Sequence, residues 1–278
     1  MFYANFAILI VLYADIMKMG DDMNILRKKI ESKEKIRGSL VSLTDPGLCE
    51  IIGAAGFDCV WVDMEHTYMS YKDVLCHLNA ARSVNIPAIV RLTQDDLTVT
   101  KKVLEMGPEG IIFPMVKTAE EARKMIDMTL YPPLGNRGFG PMRAIRYGAD
   151  DAKEYVDKTS LDVCRFIQIE HVNFIDELEE IVKIPYIDGF IFGPNDLSGS
   201  LGEMLDCFSS KTVSEMKRAA EILKKNNKYF GIACGMDETT IKFWSEFEPD
   251  MIFAGADWNF VYKAGNDTFK ILEKYLGE

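Results

Sequence analysis

The chain predicts a closed (β/α)8 barrel of the TIM type, one α/β domain behind a short N-terminal extension. Short apolar runs that read as strands alternate eight times with helical stretches over about 250 residues, the span such a barrel needs. No G-x-G-x-x-G follows the first strand, which argues against an open dinucleotide-binding sheet. The chain has 278 residues, 48% of them hydrophobic, with no linker to divide it, so one large core is expected.

Residues 1–22 stand apart. The apolar run 6–13 is too short to span a bilayer, and no Lys or Arg precedes it, so the positive start of a signal peptide is missing. The expectation is an upstream extension, disordered or a misplaced start, with the barrel domain at 23–278. After an opening helix near 23–32, strand one is placed at 38–43, and Thr44-Asp45-Pro46-Gly47 starts the next helix. Strand two is placed at 57–63, a helix at 71–83, strand three at 87–92 and a helix at 95–106. Strand four follows at 110–116, and Thr118-Ala119-Glu120-Glu121 opens a helix with a capping-box pattern. A longer loop runs over 131–147. Strand five (164–170) and strand six (187–192) are joined by an amphipathic crossover helix of about a dozen residues. Strand seven is placed at 229–234, a helix at 237–247, strand eight at 251–254 and a last helix at 258–276.

Net charge is −11 and the isoelectric point about 4.9, with no basic run, which disfavours nucleic acid and anionic membranes as partners and leaves small molecules. Six scattered cysteines without a C-x-x-C pair predict a reduced, cytoplasmic protein.

In such a barrel the chemistry sits at the carboxyl ends of the strands. The sequence gathers Asp63, Glu65 and His66 after strand two, Arg91 at the end of three, Glu170 after five and Asp196 after six. Alternation puts Phe166, Gln168 and Glu170 on one face of strand five and Ile167 and Ile169 on the other. A right-handed parallel crossover brings Glu170 and Asp196 out at one sheet edge, where two acids suit a hard divalent cation. Alone, Asp196 in Gly193-Pro194-Asn195-Asp196 reads as a turn or cap residue; its pairing with Glu170 points to a ligand. A neutral imidazole at His66, beside two acids, can accept a proton at neutral pH. Arg91 ends the apolar run Pro87-Ala88-Ile89-Val90, so its guanidinium is expected in the mouth, holding a carboxylate or an oxyanion. No Lys closes a strand in this set, so a Schiff-base mechanism lacks its nucleophile.

Five motifs in order, from about Met23 to the C-terminus, resemble the HpcH/HpaI aldolase family. They are Val62-Asp63-Met64-Glu65-His66, Val90-Arg91, Tyr131 to Gly140 (YPPLGNRGFG), Ile167-Gln168-Ile169-Glu170 and Phe192-Gly193-Pro194-Asn195-Asp196-Leu197-Ser198. The resemblance implies a barrel of the phosphoenolpyruvate/pyruvate superfamily. It also implies a class II aldolase, cleaving a 4-hydroxy-2-oxo acid of the 2-keto-3-deoxy sugar acid or 4-hydroxy-2-oxoheptanedioate type to pyruvate and an aldehyde. By it, Glu170 and Asp196 ligate Mg²⁺ or Mn²⁺, with Co²⁺ as a further option. Arg91 stabilises the enolate oxygen and His66 serves the acid–base step. Asp63, Gln168, Gly193 and Asn195 are then substrate-binding or supporting groups, and Arg137 meets a carboxylate at the far end of the substrate or makes a surface salt bridge.

The chain departs from the family twice. Asn195 stands where these aldolases usually carry Ala, and Glu105 where the acid that partners the catalytic His is usually Asp. Glu105 closes the helix after strand three, which runs back toward the bottom of the barrel. If it pairs with His66, the histidine belongs to a neighbouring subunit, and a homo-oligomer, a hexamer built from dimers, is expected. The competing functions are a CoA-ester lyase of the citrate or malyl-CoA type, which needs a basic groove for the CoA phosphates, and a non-catalytic barrel.

Overall fold

The computed structural model describes residues 24–93 and 96–277; the expected extension at 1–22 lies outside them, as does the expected helix start at residue 95. In chain order the first half comprises α1 (Ile25–Glu31), β1 (Ile36–Val41), α2 (Gly47–Ala54), β2 (Cys59–Asp63), α3 (Tyr71–Ser83), β3 (Ala88–Arg91), α4 (Leu97–Glu105), β4 (Gly110–Phe113) and α5 (Ala119–Asp127). The second half comprises α6 (Ala152–Asp157), β5 (Cys164–Ile169), α7 (Val172–Asp176), α8 (Leu178–Ile181), β6 (Gly189–Phe192), α9 (Pro194–Ser200), α10 (Ser210–Lys225), β7 (Tyr229–Cys234), α11 (Glu238–Ser245), β8 (Met251–Ala256) and α12 (Asp257–Leu276). Each strand pairs in parallel with the next, and β8 with β1, so the barrel closes in sequence order. Among the described residues no helix is long and apolar enough to cross a membrane.

Strand alternation divides the core in two. Val60, Val62, Ile167 and Ile169 point outward under the helices, while Trp61, Ile112 and Phe166 fill the barrel interior. Inward glycines make room for inward bulk. A Cβ at Gly38 would lie 2.3 Å from the Phe253 ring, and one at Gly231 would lie 2.1 Å from Met251 Cγ. The amino end is closed by α1, whose buried Leu26 joins the interior cluster and whose Arg27 pairs with Asp188 at 2.6 Å.

Three expectations need correction. The crossover between β5 and β6 is two short helices, because the chain breaks at Glu177, whose carboxylate instead accepts the Ala119 N–H at 2.7 Å. The capping box at Thr118 is half formed: Thr118 Oγ1 accepts the Glu121 N–H, but the Glu121 carboxylate reaches Lys117 N. A full box stands at Ser70 and Asp73 instead. The helices α6 and α10 and the helical turn Arg143–Gly148 are additions to the sequence expectation.

Candidate active site at the carboxyl ends of the strands

β2 and β3 pair with Asp63 opposite Arg91, which sets the first contact of the site by register alone. Asp63 Oδ1 accepts from Arg91 Nε at 2.9 Å and Oδ2 from Nη2 at 2.6 Å, a two-point grip with both residues buried. Asp63 Oδ1 also accepts the Glu65 N–H at 2.9 Å, so one carboxylate fixes both the arginine and the turn that carries His66. The guanidinium stands over the Trp61 ring, 5.0 Å from its centroid.

The chain of contacts continues across the mouth. Arg91 Nη1 reaches Gln168 Oε1 at 3.5 Å, and Gln168 Nε2 donates to Glu170 Oε1 at 2.6 Å. Glu170 Oε2 accepts the Met115 N–H at 2.9 Å. Met115 holds a left-handed backbone (φ 59°), uncommon for a side chain of its kind, and that conformation aims its N–H at the carboxylate. A Cβ at Gly193 would lie 2.7 Å from Glu170 Oε1, so a residue with a side chain there would displace the carboxylate.

The site carries excess negative charge. Burial pushes the Glu170 carboxyl up to about 7, partly offset by the Met115 N–H and reinforced by Glu65 and Asp196. Glu65 is raised for the same first reason, burial, with Arg91 opposing and Asp63 and Asp196 adding. Arg91 Nη1 lies 3.1 Å from Glu65 Oε2 without the alignment of a hydrogen bond. Asp196 stands in the first turn of α9, which opens with Pro194 at its first position and carries Asn195 exposed beside it. Excess charge and two hard oxygen donors, Glu170 and Asp196, fit a divalent cation. Among the described residues no group of three His, Cys, Asp or Glu side chains is arranged to enclose one, so substrate and water oxygens would complete its shell.

Four of the six mouth residues, Asp63, Glu65, Arg91 and Glu170, therefore meet within one buried or half-buried network, and the charge of Asp196 acts on Glu65 and Glu170 from beside it. His66 sits at its rim, 65% exposed, with Nε2 3.6 Å from Glu65 Oε2. A cavity of about 610 Å³ opens beside it, lined by Asp63, His66 and Asn195. A larger cleft, about 850 Å³, lies at the opposite end of the barrel. Three of the cations lining it are already paired, Lys35 with Asp250, Arg37 with Asp58 and Lys224 with Glu248, and none of the mouth residues reaches it.

Glu105 and Arg137 lie away from their own mouth. Glu105 ends α4, which runs back from β3 for nine residues, about 13 Å at 1.5 Å per residue. Arg137 belongs to the segment between α5 and β5, at the same lower rim, and is 1% exposed. Its guanidinium packs 4.5 Å from the Tyr131 ring, and Nη2 donates to Tyr155 Oη at 3.3 Å. Arg137 therefore neither meets a substrate in its own barrel nor makes a surface salt bridge, because a loop that leads from a helix to the next strand lies at the strands' amino ends. Glu105 is not a solvated helix end either: its Oε1 is buried without a hydrogen-bond partner, 3.7 Å from where a Cβ on Gly140 would be. Burial raises its pKa, with Arg137 and Lys101 opposing.

Trp61 and Met115 complete the site beyond the residues singled out for it from sequence. Trp61 carries a usable signal, an inward position two residues before Asp63 on β2. The Met115 contribution is a backbone N–H and carries none.

The comparisons agree with this geometry. The family model described as HpcH/HpaI aldolase/citrate lyase matches residues 38–238. A hydroxypyruvate/pyruvate aldolase of Deinococcus radiodurans is 32% identical over 89% of each chain. A 2-keto-3-deoxy-L-rhamnonate aldolase of Escherichia coli (strain K12) is 33% identical over 64% of this chain and 67% of its own. The crystal structure of a HpcH/HpaI aldolase/citrate lyase family protein from Burkholderia cenocepacia J2315 superposes with a TM-score of 0.83, covering 90% of this chain and 99% of that one at 26% identity. The protein is a lyase, and the chain belongs to the HpcH/HpaI aldolase/citrate lyase family.

Proposed function

We propose that the protein is a class II aldolase that cleaves a 4-hydroxy-2-oxo acid to pyruvate and an aldehyde, with Glu170 and Asp196 as the metal-binding pair. The observation that carries this reading is the buried Arg91 guanidinium, held by Asp63 on one side and linked through Gln168 to Glu170 on the other. Class II aldolases of this family are generally metal-dependent. A divalent cation beside Glu170 and Asp196 supplies Lewis-acid charge at the keto oxygen; Mg²⁺ and Mn²⁺ suit the oxygen donors, and Co²⁺ is a further candidate.

The protein's own residues supply the rest. His66 takes the C4 hydroxyl proton, the C3–C4 electron pair moves into the C2 carbonyl, and the aldehyde leaves. The enolate oxygen that results gains negative charge next to Arg91, whose fixed position needs no reorganisation. Protonation at C3 then gives pyruvate. Asp63 keeps the arginine in place, Gln168 orients Glu170, Gly193 leaves space for that carboxylate, and Asn195 faces the substrate cavity.

The partner of His66 is Glu105 of a neighbouring copy in this scheme, since α4 carries the residue to the wrong end of its own barrel. A homo-oligomer, a hexamer built from dimers, is consistent with the surface. Along α12, Val261, Tyr262, Phe269, Leu272, Tyr275 and Leu276 are all exposed. Covering six such side chains is worth on the order of 10 kcal/mol, which a partner surface can recover. Six free thiols support a cytoplasmic placement. A CoA-ester lyase is not favoured, because no Lys or Arg lines the mouth cavity among the described residues.

The test is exchange of the pyruvate C3 protons in D₂O, followed by NMR, with borohydride present or absent. The expected result is exchange without borohydride and, with it, reduction of free pyruvate but no reduced adduct on the protein. A stable adduct would mean a lysine enzyme.

A further inference from the structure

The mouth cavity is lined from the ends of β1, β7 and β8 and from the first turns of α9, α11 and α12. Its walls away from Asp63 and His66 are of two kinds. Phe208, Trp244, Trp258 and Cys234 give an apolar surface, while Ser42, Asn195, Thr240 and Asn259 give neutral hydrogen-bonding groups. Asn259 Oδ1 already accepts the Ala256 N–H at 3.1 Å, which leaves its amide N–H groups to donate. No Lys or Arg lines the cavity among the described residues, and Asp63 does. Arg91, the nearest buried cation, is held by Asp63 and faces Gln168 and Glu65. A carboxylate or phosphate on the aldehyde half would enter this space with no counter-charge, against Asp63, Glu65 and Asp196, in a chain of net charge −11. Like charges brought together this way are strongly disfavoured, whereas hydroxyl groups find donors and acceptors and a methyl end finds an apolar wall.

We infer that the aldehyde half of the substrate is uncharged, a short hydroxyaldehyde with a small apolar end, and that the Ser42, Asn195, Thr240 and Asn259 wall selects it. The inference rests on the aldolase assignment and extends it to a substrate class. Of the two acid types that the sequence leaves open, it chooses the deoxy sugar acid over the one whose aldehyde carries a second carboxylate.

The test compares kcat/KM in the synthetic direction with pyruvate, using lactaldehyde and glycolaldehyde against succinic semialdehyde and glyceraldehyde 3-phosphate. The neutral pair is expected to be favoured on the order of 10²-fold. Placing a cation on the wall by Thr240→Lys, or independently by Asn195→Lys, is expected to cut that preference to about tenfold or less. Pyruvate C3 exchange without any aldehyde is measured on the same proteins. Normal exchange with equal or greater use of the anionic aldehydes overturns the inference and leaves the aldolase assignment standing. An anionic preference that Lys101→Ala abolishes also overturns it, by placing a selecting cation on the neighbouring copy. Absence of exchange in the unsubstituted protein overturns both.

Discussion

Replacing Arg91 with Ala is expected to lower kcat by on the order of 10²–10³ while changing metal affinity little. On the proposed assignment the guanidinium faces the position where charge develops, and its two-point grip by Asp63 fixes it before the substrate arrives. The substitution also strands the buried Asp63 carboxylate, at a cost of about 3–5 kcal/mol in stability. Asp63→Asn in the same protein removes that charge, so the double variant should regain thermal stability but not turnover. Steady-state kinetics, with Mn²⁺ affinity measured by calorimetry on both variants, separates the effects. Equal loss of turnover and metal affinity would contradict the role given to Arg91.

Glu105→Ala is expected to slow turnover on the order of 10²–10⁴-fold without unfolding the subunit. The fold should tolerate it because Glu105 Oε1 makes no hydrogen bond within its own chain. The stronger form of the test mixes subunits. Arg91→Ala and Glu105→Ala chains, each nearly inactive, should recover about a quarter of wild-type activity when refolded together, since half the pairs are mixed and each mixed pair has one intact site. No recovery, or a fully active monomer by sedimentation, would contradict a site shared between copies.

Much of this site is legible in the chain because strand period is rigid. Gln168 and Glu170 share the inward face with Phe166, and Arg91 ends an apolar strand opposite Asp63, so period and register fix four side chains. Period does not encode the rest of the site. The left-handed backbone at Met115 that delivers an N–H to Glu170 leaves no trace in residue type. The split crossover depends on Glu177 reaching another helix, a tertiary contact that overrides an amphipathic pattern. Arg137 illustrates the converse: its place between a helix and the following strand already assigns it to the lower rim. A substrate carboxylate or a surface salt bridge is the expectation for it, but the two tyrosine rings bury it.

The central claim is that Glu170 and Asp196 would hold a divalent cation that supplies Lewis-acid charge to the reaction, while Arg91 stabilises the enolate oxygen. The direct measurement is the rate of pyruvate C3 exchange after exhaustive chelation and after add-back of single metals. Exchange should vanish with excess EDTA and return with Mg²⁺, Mn²⁺ or Co²⁺ in the wild type but not in Glu170→Gln. Full exchange in excess EDTA would contradict the account.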